Sequence, residues 1–165
     1  MQKKLLLLVA GFIMIFLMSG CPYESTVPLG NSCYSVIDPA LLGSWVEASG
    51  KESGDTIRIM KFNDHEYYVE IHSKGQNGIS SVSRGRAFVT VIKNQKILNF
   101  CELGEGEKFV FLKYVINGNL MKTYSVSDKY IKQPFSSGSA LLNYFSKNLD
   151  KAGFFEVADS SLLVK

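Results

Sequence analysis

The chain has two histidines, and they are the natural place to look for proton chemistry near neutral pH. His65 stands between Asp64 and Glu66, and a carboxylate beside an imidazole is a pairing that serves acid–base catalysis. The same trio also reads as a solvated turn, with His65 a polar residue at a strand end. His72 follows at odd spacing. On one extended strand such spacing sends two side chains to opposite faces, so His65 and His72 cannot jointly bind one metal there. Cys33 and Cys101 lie far apart with no histidine near them, unlike zinc-ligand spacing. Arg84 and Arg86 in "RGR" can hold an anion or simply start a strand. There is no G-x-S-x-G elbow, no H-E-x-x-H helix and no G-x-x-x-x-G-K-[ST] loop, and "GEGEKF" reads as a hairpin turn. These residue types point to a non-enzymatic protein with no metal and no cofactor.

The elements that must position these residues are mostly strands. Runs rich in Val, Ile, Phe, Tyr and Thr suit a pleated surface. They predict strands at 55–62, 65–73, 85–93, 96–103, 107–116 and 120–126. Turn residues punctuate them at 76–78, 93–95, 104–107 and 117–119, and Asn-Gly between apolar runs is a strong hairpin signal. Connections this short make antiparallel neighbours and leave no room for crossover helices. The longest polar stretch, 73–85, is expected to be a loop. In 136–153 the residues Leu141, Tyr144, Phe145, Asn148 and Leu149 share one stripe, the spacing of an amphipathic helix. Ser137 or Ser139 can cap its start, and Gly153 stands where a left-handed C-terminal cap belongs. The last residues return as a strand.

About eight short antiparallel strands must hide their edges, and closure into a barrel removes them. The expected fold class is mainly β: an antiparallel meander barrel with one C-terminal amphipathic helix. Strand 107–116 is apolar on both faces. One face can fill the barrel; the other needs a cover, either the helix or a partner or lipid surface. Gly43-Ser44-Trp45 opens the first strand after an apolar lead-in. It resembles the G-x-W signature of the lipocalins and their calycin relatives. That resemblance implies a lipocalin-like barrel whose closed end is marked by Gly43 and plugged by Trp45.

The N-terminus speaks about address. Lys3 and Lys4 precede an apolar run from Leu5 to Met18, too short to cross a hydrocarbon core that takes about 20 residues. A basic head, an apolar middle and the small pair Ser19-Gly20 make the plan of a secretory signal peptide. "MSGC" at 18–21 resembles the lipobox of bacterial lipoproteins. The resemblance implies cleavage after residue 20 and lipidation of Cys21 by diacylglycerol. Two or three acyl chains such as palmitate would hold the protein firmly. An ordinary signal peptide with a coincidental cysteine is the alternative. Pro22 stands where an Asp would retain an enteric-type lipoprotein at the inner membrane, so the resemblance implies the outer membrane, facing the periplasm, with surface exposure the variant. The expected organisation is a signal peptide at 1–20, a flexible tether at 21–36 and a barrel domain at 37–165, about the size of one domain.

In such an oxidising compartment an even pair of cysteines reads as a disulfide. With Cys21 lipidated, Cys33–Cys101 is the one pairing left; two reduced thiols are the alternative. Without Lys3 and Lys4 the basic residues exceed the 15 acidic ones by one, and scattered charge gives no footing for nucleic acid. The expected function is a binding module that holds a small apolar ligand or lipid in the barrel. The alternative is a protein-interaction lipoprotein: an envelope-assembly accessory, or an inhibitor of lysozyme or proteases that inserts the 73–85 segment into a cleft.

Overall fold

The computed structural model describes residues 23–48, 55–74, 80–104 and 106–165, with the backbone alone at 74 and 158–161. Among the described residues nine strands run in chain order: β1 (Glu24–Ser25), β2 (Gly43–Glu47), β3 (Thr56–Lys61), β4 (Tyr67–Lys74), β5 (Ser80–Ile92), β6 (Gln95–Glu102), β7 (Phe109–Asn117), β8 (Leu120–Val126) and β9 (Phe155–Val164). One-turn 3-10 helices lie at Ser32–Tyr34 and Pro39–Leu41, and helix α1 (Gly138–Asn148) separates β8 from β9. From β2 to β9 each strand pairs antiparallel with the next, and β9 pairs back onto β2 through Val46↔Val164. The result is a closed eight-stranded meander barrel with one helix near the C-terminus, in keeping with the lipocalin-like expectation.

Local chemistry explains the tight joints. Lys93 and Asn94 both take positive φ (48° and 66°), the requirement of a two-residue hairpin between β5 and β6. The Asn-Gly step at 117–118 turns β7 into β8 with Gly118 at φ 59°. The side chain of Ser137 accepts the Ala140 N–H and caps α1. Gly153 does take a left-handed φ of 78°, but it is not the cap; α1 ends earlier, at Asn148 with Leu149 as its C-cap, and Gly153 turns the chain toward β9.

Strand alternation splits the apolar residues into two layers. Inward, Trp45, Ile59, Tyr67, Val69, Val89, Leu98, Tyr114, Met121 and Leu163 pack as one cluster. Outward, Ile92, Ile97, Phe111 and Val126 meet Leu29, Ile131, Leu141, Phe145, Leu149 and Phe154. Phe145 of α1 meets Phe111 edge-on at 5.5 Å between ring centres. The helix stripe is therefore the cover that the second face of β7 needs.

Two expectations are corrected. The 73–85 segment is not one long polar loop: β4 runs to Lys74 and β5 begins at Ser80, with Ser73↔Ser81, His72↔Val82 and Ile71↔Ser83 in register. Serines disfavour strands weakly, and a complete ladder overrides that preference. The turn placed at 76–78 lies outside the described residues. Nor do residues 23–36 hang as a tether. They form a strap on the barrel wall in which Ser25, Leu29 and Ser35 are buried. The strap goes where ladder groups lack partners. β1 pairs with Phe109 and Val110 of β7, beyond the reach of β8. Ser35 Oγ accepts the Val89 N–H at 3.0 Å, beyond the reach of β4. Between these points Asn99, fully buried, accepts the Leu29 N–H at 2.8 Å and donates to the Phe88 carbonyl and to Thr90 Oγ1. Thr90 Oγ1 in turn donates to the Leu29 carbonyl.

The strap then folds over one end of the barrel. The Asp38 carboxylate caps the Pro39–Leu41 turn and accepts from Lys96 Nζ (2.7 Å) and Tyr114 OH (2.9 Å), while Tyr67 OH accepts the Asp38 N–H. Burial pushes the Asp38 carboxyl up, but the bonds from Lys96, Tyr114 and the Ala40 amide outweigh it and hold its pKa below the usual aspartate value. A lowered carboxylate pKa stabilises the fold above the ordinary value and is lost as pH falls through the folded value. Asp38→Asn is expected to cost about 1–3 kcal/mol at neutral pH, because buried Tyr114 and half-exposed Lys96 lose a charged acceptor. Urea unfolding of both proteins across acidic and neutral pH checks this: the gap should narrow on the acid side, and a gap independent of pH would contradict it.

Candidate functional site

With the strap on the wall, an open cleft of about 910 Å³ lies between the strap, the outer face of the sheet and the start of α1. Its size is in the range of ligand sites. Its floor comes from outward positions: Arg86 and Phe88 of β5, Cys101 of β6 and Phe109 of β7. Ser32 and Tyr34 of the strap form one bank, and Gly138, Ser139 and Leu142 of α1 another. The banks meet without side-chain spacers. A Cβ on Gly138 would stand 2.7 Å from the Pro28 carbonyl oxygen and 3.1 Å from that of Gly30. Those atoms are backbone and cannot swing aside, so glycine is what lets helix and strap touch.

Glu66, Arg86, Glu102 and Glu107 supply the cleft's charge, and Glu66 and Arg86 form an ion pair. Arg86 donates to Glu66 and also lies over the Phe62 ring, 4.8 Å from its centre. Burial raises the Glu66 carboxyl, but hydrogen bonds from Asn63 and Arg86 prevail and leave its pKa lowered. The cleft thus combines the apolar Phe88, Phe109 and Leu142 with the Glu66–Arg86 pair and the carboxylates of Glu102 and Glu107. That suits an extended peptide or an amphipathic small molecule. No nucleophile–base pair appears among its described lining residues.

The residues singled out by sequence are dispersed. Cys21 lies outside the described residues. Trp45 is fully buried inside the barrel; its Nε1–H donates to the Leu41 carbonyl at 2.8 Å, and Lys165 Nζ lies 5.3 Å from its ring centre. Gly43, at φ 126°, leaves room for the Lys165 side chain, whose Cε would be 2.7 Å from an added Cβ. Gly43 and Trp45 therefore sit together beside the end that Asp38 covers. His65 occupies the exposed turn before β4, where Nδ1 meets the Ser35 carbonyl at 2.7 Å, and Asp64 turns away to Lys61. His65 thus holds the strap. His72 lies 3.4 Å from Glu70, which also faces Arg58 and Arg84 across the ladder. Among the described residues no group of three or more His, Cys, Asp or Glu side chains gathers in a metal-binding arrangement.

The expected Cys33–Cys101 bridge is not formed; both thiols are free. Cys33 is exposed in the 3-10 turn of the strap, whereas Cys101 faces the cleft floor with its Sγ 3.7 Å from the Glu102 carbonyl. The even count of cysteines carried no information about where the strap would place Cys33. Sequence reasoning missed the cleft itself. Its trace in the sequence is Asn99, an amide set between the apolar Ile97, Leu98 and Phe100 of β6. Burial pushes the Cys101 thiol pKa up. A maleimide should therefore label Cys33 without prior reduction, and Cys101 more slowly and with a steeper gain at high pH; peptide mass mapping follows each site, and two unlabelled thiols that appear only after reduction would contradict this.

Compared with known proteins, the chain matches no family model, no curated protein and no solved structure.

Proposed function

We propose that this chain is a lipid-anchored, non-enzymatic protein of the bacterial cell envelope whose barrel serves as a scaffold and whose outer cleft recognises an extended segment of another envelope protein. The anchor rests on the lipobox-like "MSGC" at 18–21 and would be a diacylglyceryl group on Cys21, at the outer membrane and facing the periplasm. The observation that carries the choice of partner is the packing of the barrel. Each of its eight strands sends at least one large side chain into one inward cluster: Trp45, Ile59, Tyr67, Val89, Leu98, Tyr114, Met121 and Leu163. An eight-stranded barrel has interior enough for side chains or one small ligand. Filled this way, it supports the interaction reading over a small apolar ligand in the lumen. The cleft offers Phe88, Phe109 and Leu142 for apolar side chains and the Glu66–Arg86 pair for polar ones. That is chemistry for a protein segment, in line with an assembly accessory or an inhibitor of lysozyme or proteases.

Photo-crosslinkers at Ser139 and Leu142, compared with one at Val82 on the β5 stretch away from the cleft, test the reading in whole cells. A recurrent protein adduct at the two cleft positions and none at Val82 is the expected result. Absence of a cleft adduct, together with a small apolar molecule retained by the detergent-extracted protein in native mass spectrometry, would restore the lumen reading. Intact mass should show a mature chain beginning at Cys21 and carrying acyl groups.

A further inference from the structure

We propose that the outward wall of β8, β9 and β2, with the adjoining end of β7, rests on the anionic phospholipid surface to which the chain is anchored. This rests on the anchoring reading above and adds the orientation of the domain. The wall is an exposed apolar patch: Val46, Val115, Leu120, Val157, Leu162 and Val164 are 38–58% exposed. They are neighbours by register. Val46 pairs with Val164, Val164 with Leu120, and Lys122 with both Leu162 and Val115. Patches of this kind mark interaction surfaces.

Two further observations choose a lipid surface as the occupant. The first is charge. At the outward positions of β7, β8 and β2 the charged side chains described are Lys113 and Lys122. Lys113 Nζ lies 5.3 Å from the Tyr124 ring centre and 5.2 Å from that of Phe155, and Lys122 Nζ lies 5.3 Å from Tyr124. Lysines whose stems cross apolar and aromatic surface suit a membrane interface, where the stem stays dry and the ammonium meets a phosphate.

The second observation is where the described chain begins. Tyr23 N–H donates to the Val126 carbonyl at the end of β8. Cys21 is two residues upstream, and two residues span at most about 7 Å. With the strap bound to the wall no tether remains to lift the domain. A lipidated Cys21 must enter the bilayer close to Val126, and the next outward residue on β8 is Tyr124, already within the patch. The barrel order completes the geometry. β9 and β5 are four strands apart in either direction, so a bilayer against β9 leaves the β5 and β6 part of the cleft floor facing away from it, with Phe109 of β7 nearer the wall.

The full-length protein, purified in detergent and placed in vesicles of phosphatidylethanolamine and phosphatidylglycerol with brominated acyl chains, provides the test. Leu120→Trp and Leu162→Trp should be quenched several-fold more than Leu103→Trp at the cleft rim, with buried Trp45 a constant background. The Lys113→Glu, Lys122→Glu double variant should lose most of that contrast. Equal quenching at the three positions overturns the proposal, as does shielding of positions 120 and 162 in detergent that grows with protein concentration, which would assign the wall to a second copy. Intact mass of the same sample separates the two readings. Acylated Cys21 with equal quenching removes the orientation and keeps the anchor; bare Cys21 with the quenching contrast intact removes the anchor and keeps the wall.

Discussion

The buried amide of Asn99 governs what lies outside the barrel. A polar side chain taken out of water must find hydrogen-bond partners or destabilise the fold. Asn99 finds them in the Leu29 N–H, the Phe88 carbonyl and the Thr90 hydroxyl, and Thr90 closes the ring by donating to the Leu29 carbonyl. The strap is held by its backbone, so it can cross the wall where its own side chains are small. Its ends dock on ladder groups that β8 and β4 leave unpaired. From that seating follow the bank of the cleft, the close approach of Gly138 and the point at which the N-terminal chain leaves the domain.

The inside obeys a different constraint. The strap continues into Asp38, whose carboxylate joins Lys96 from outside to Tyr114 from within, while its N–H reaches Tyr67. Burial and the nearby Asp38 carboxylate push the Tyr114 hydroxyl well above the usual tyrosine value, so it stays a donor at every physiological pH. Deeper in, Gly85 gives up its side-chain volume to the Phe100 ring, which would stand 2.3 Å from an added Cβ. Together with Trp45 these residues turn the lumen into a core. On the proposed reading the surface left for recognition is the outside, which carries the cleft and the aliphatic wall.

Much of the architecture was legible in the chain. Strand-forming runs, Asn-Gly turns and a lone amphipathic stripe predicted a closed meander with a late helix, and each has a local physical cause. The two-faced apolar pattern of 107–116 even demanded the cover that α1 supplies. The polar stretch 73–85 was misread because cross-strand pairing outweighs the weak preferences of serine and glycine. The strap was misread because prolines, serines and glycines look like a linker, and nothing local reveals that Asn99, some seventy positions away in the chain, will bind its backbone.

What the sequence determined by itself was therefore what depends on short range: most strand and turn placement and the capped helix. Tertiary structure alone decided what depends on partners distant in the chain. It left Cys33 and Cys101 as separate thiols, filled the barrel, opened the cleft beneath the strap and gathered six aliphatic residues from four strands into one wall. The reason is that a side chain's periodicity tells which face it takes, whereas the neighbours it meets are set by register and by backbone hydrogen bonds that no local pattern encodes.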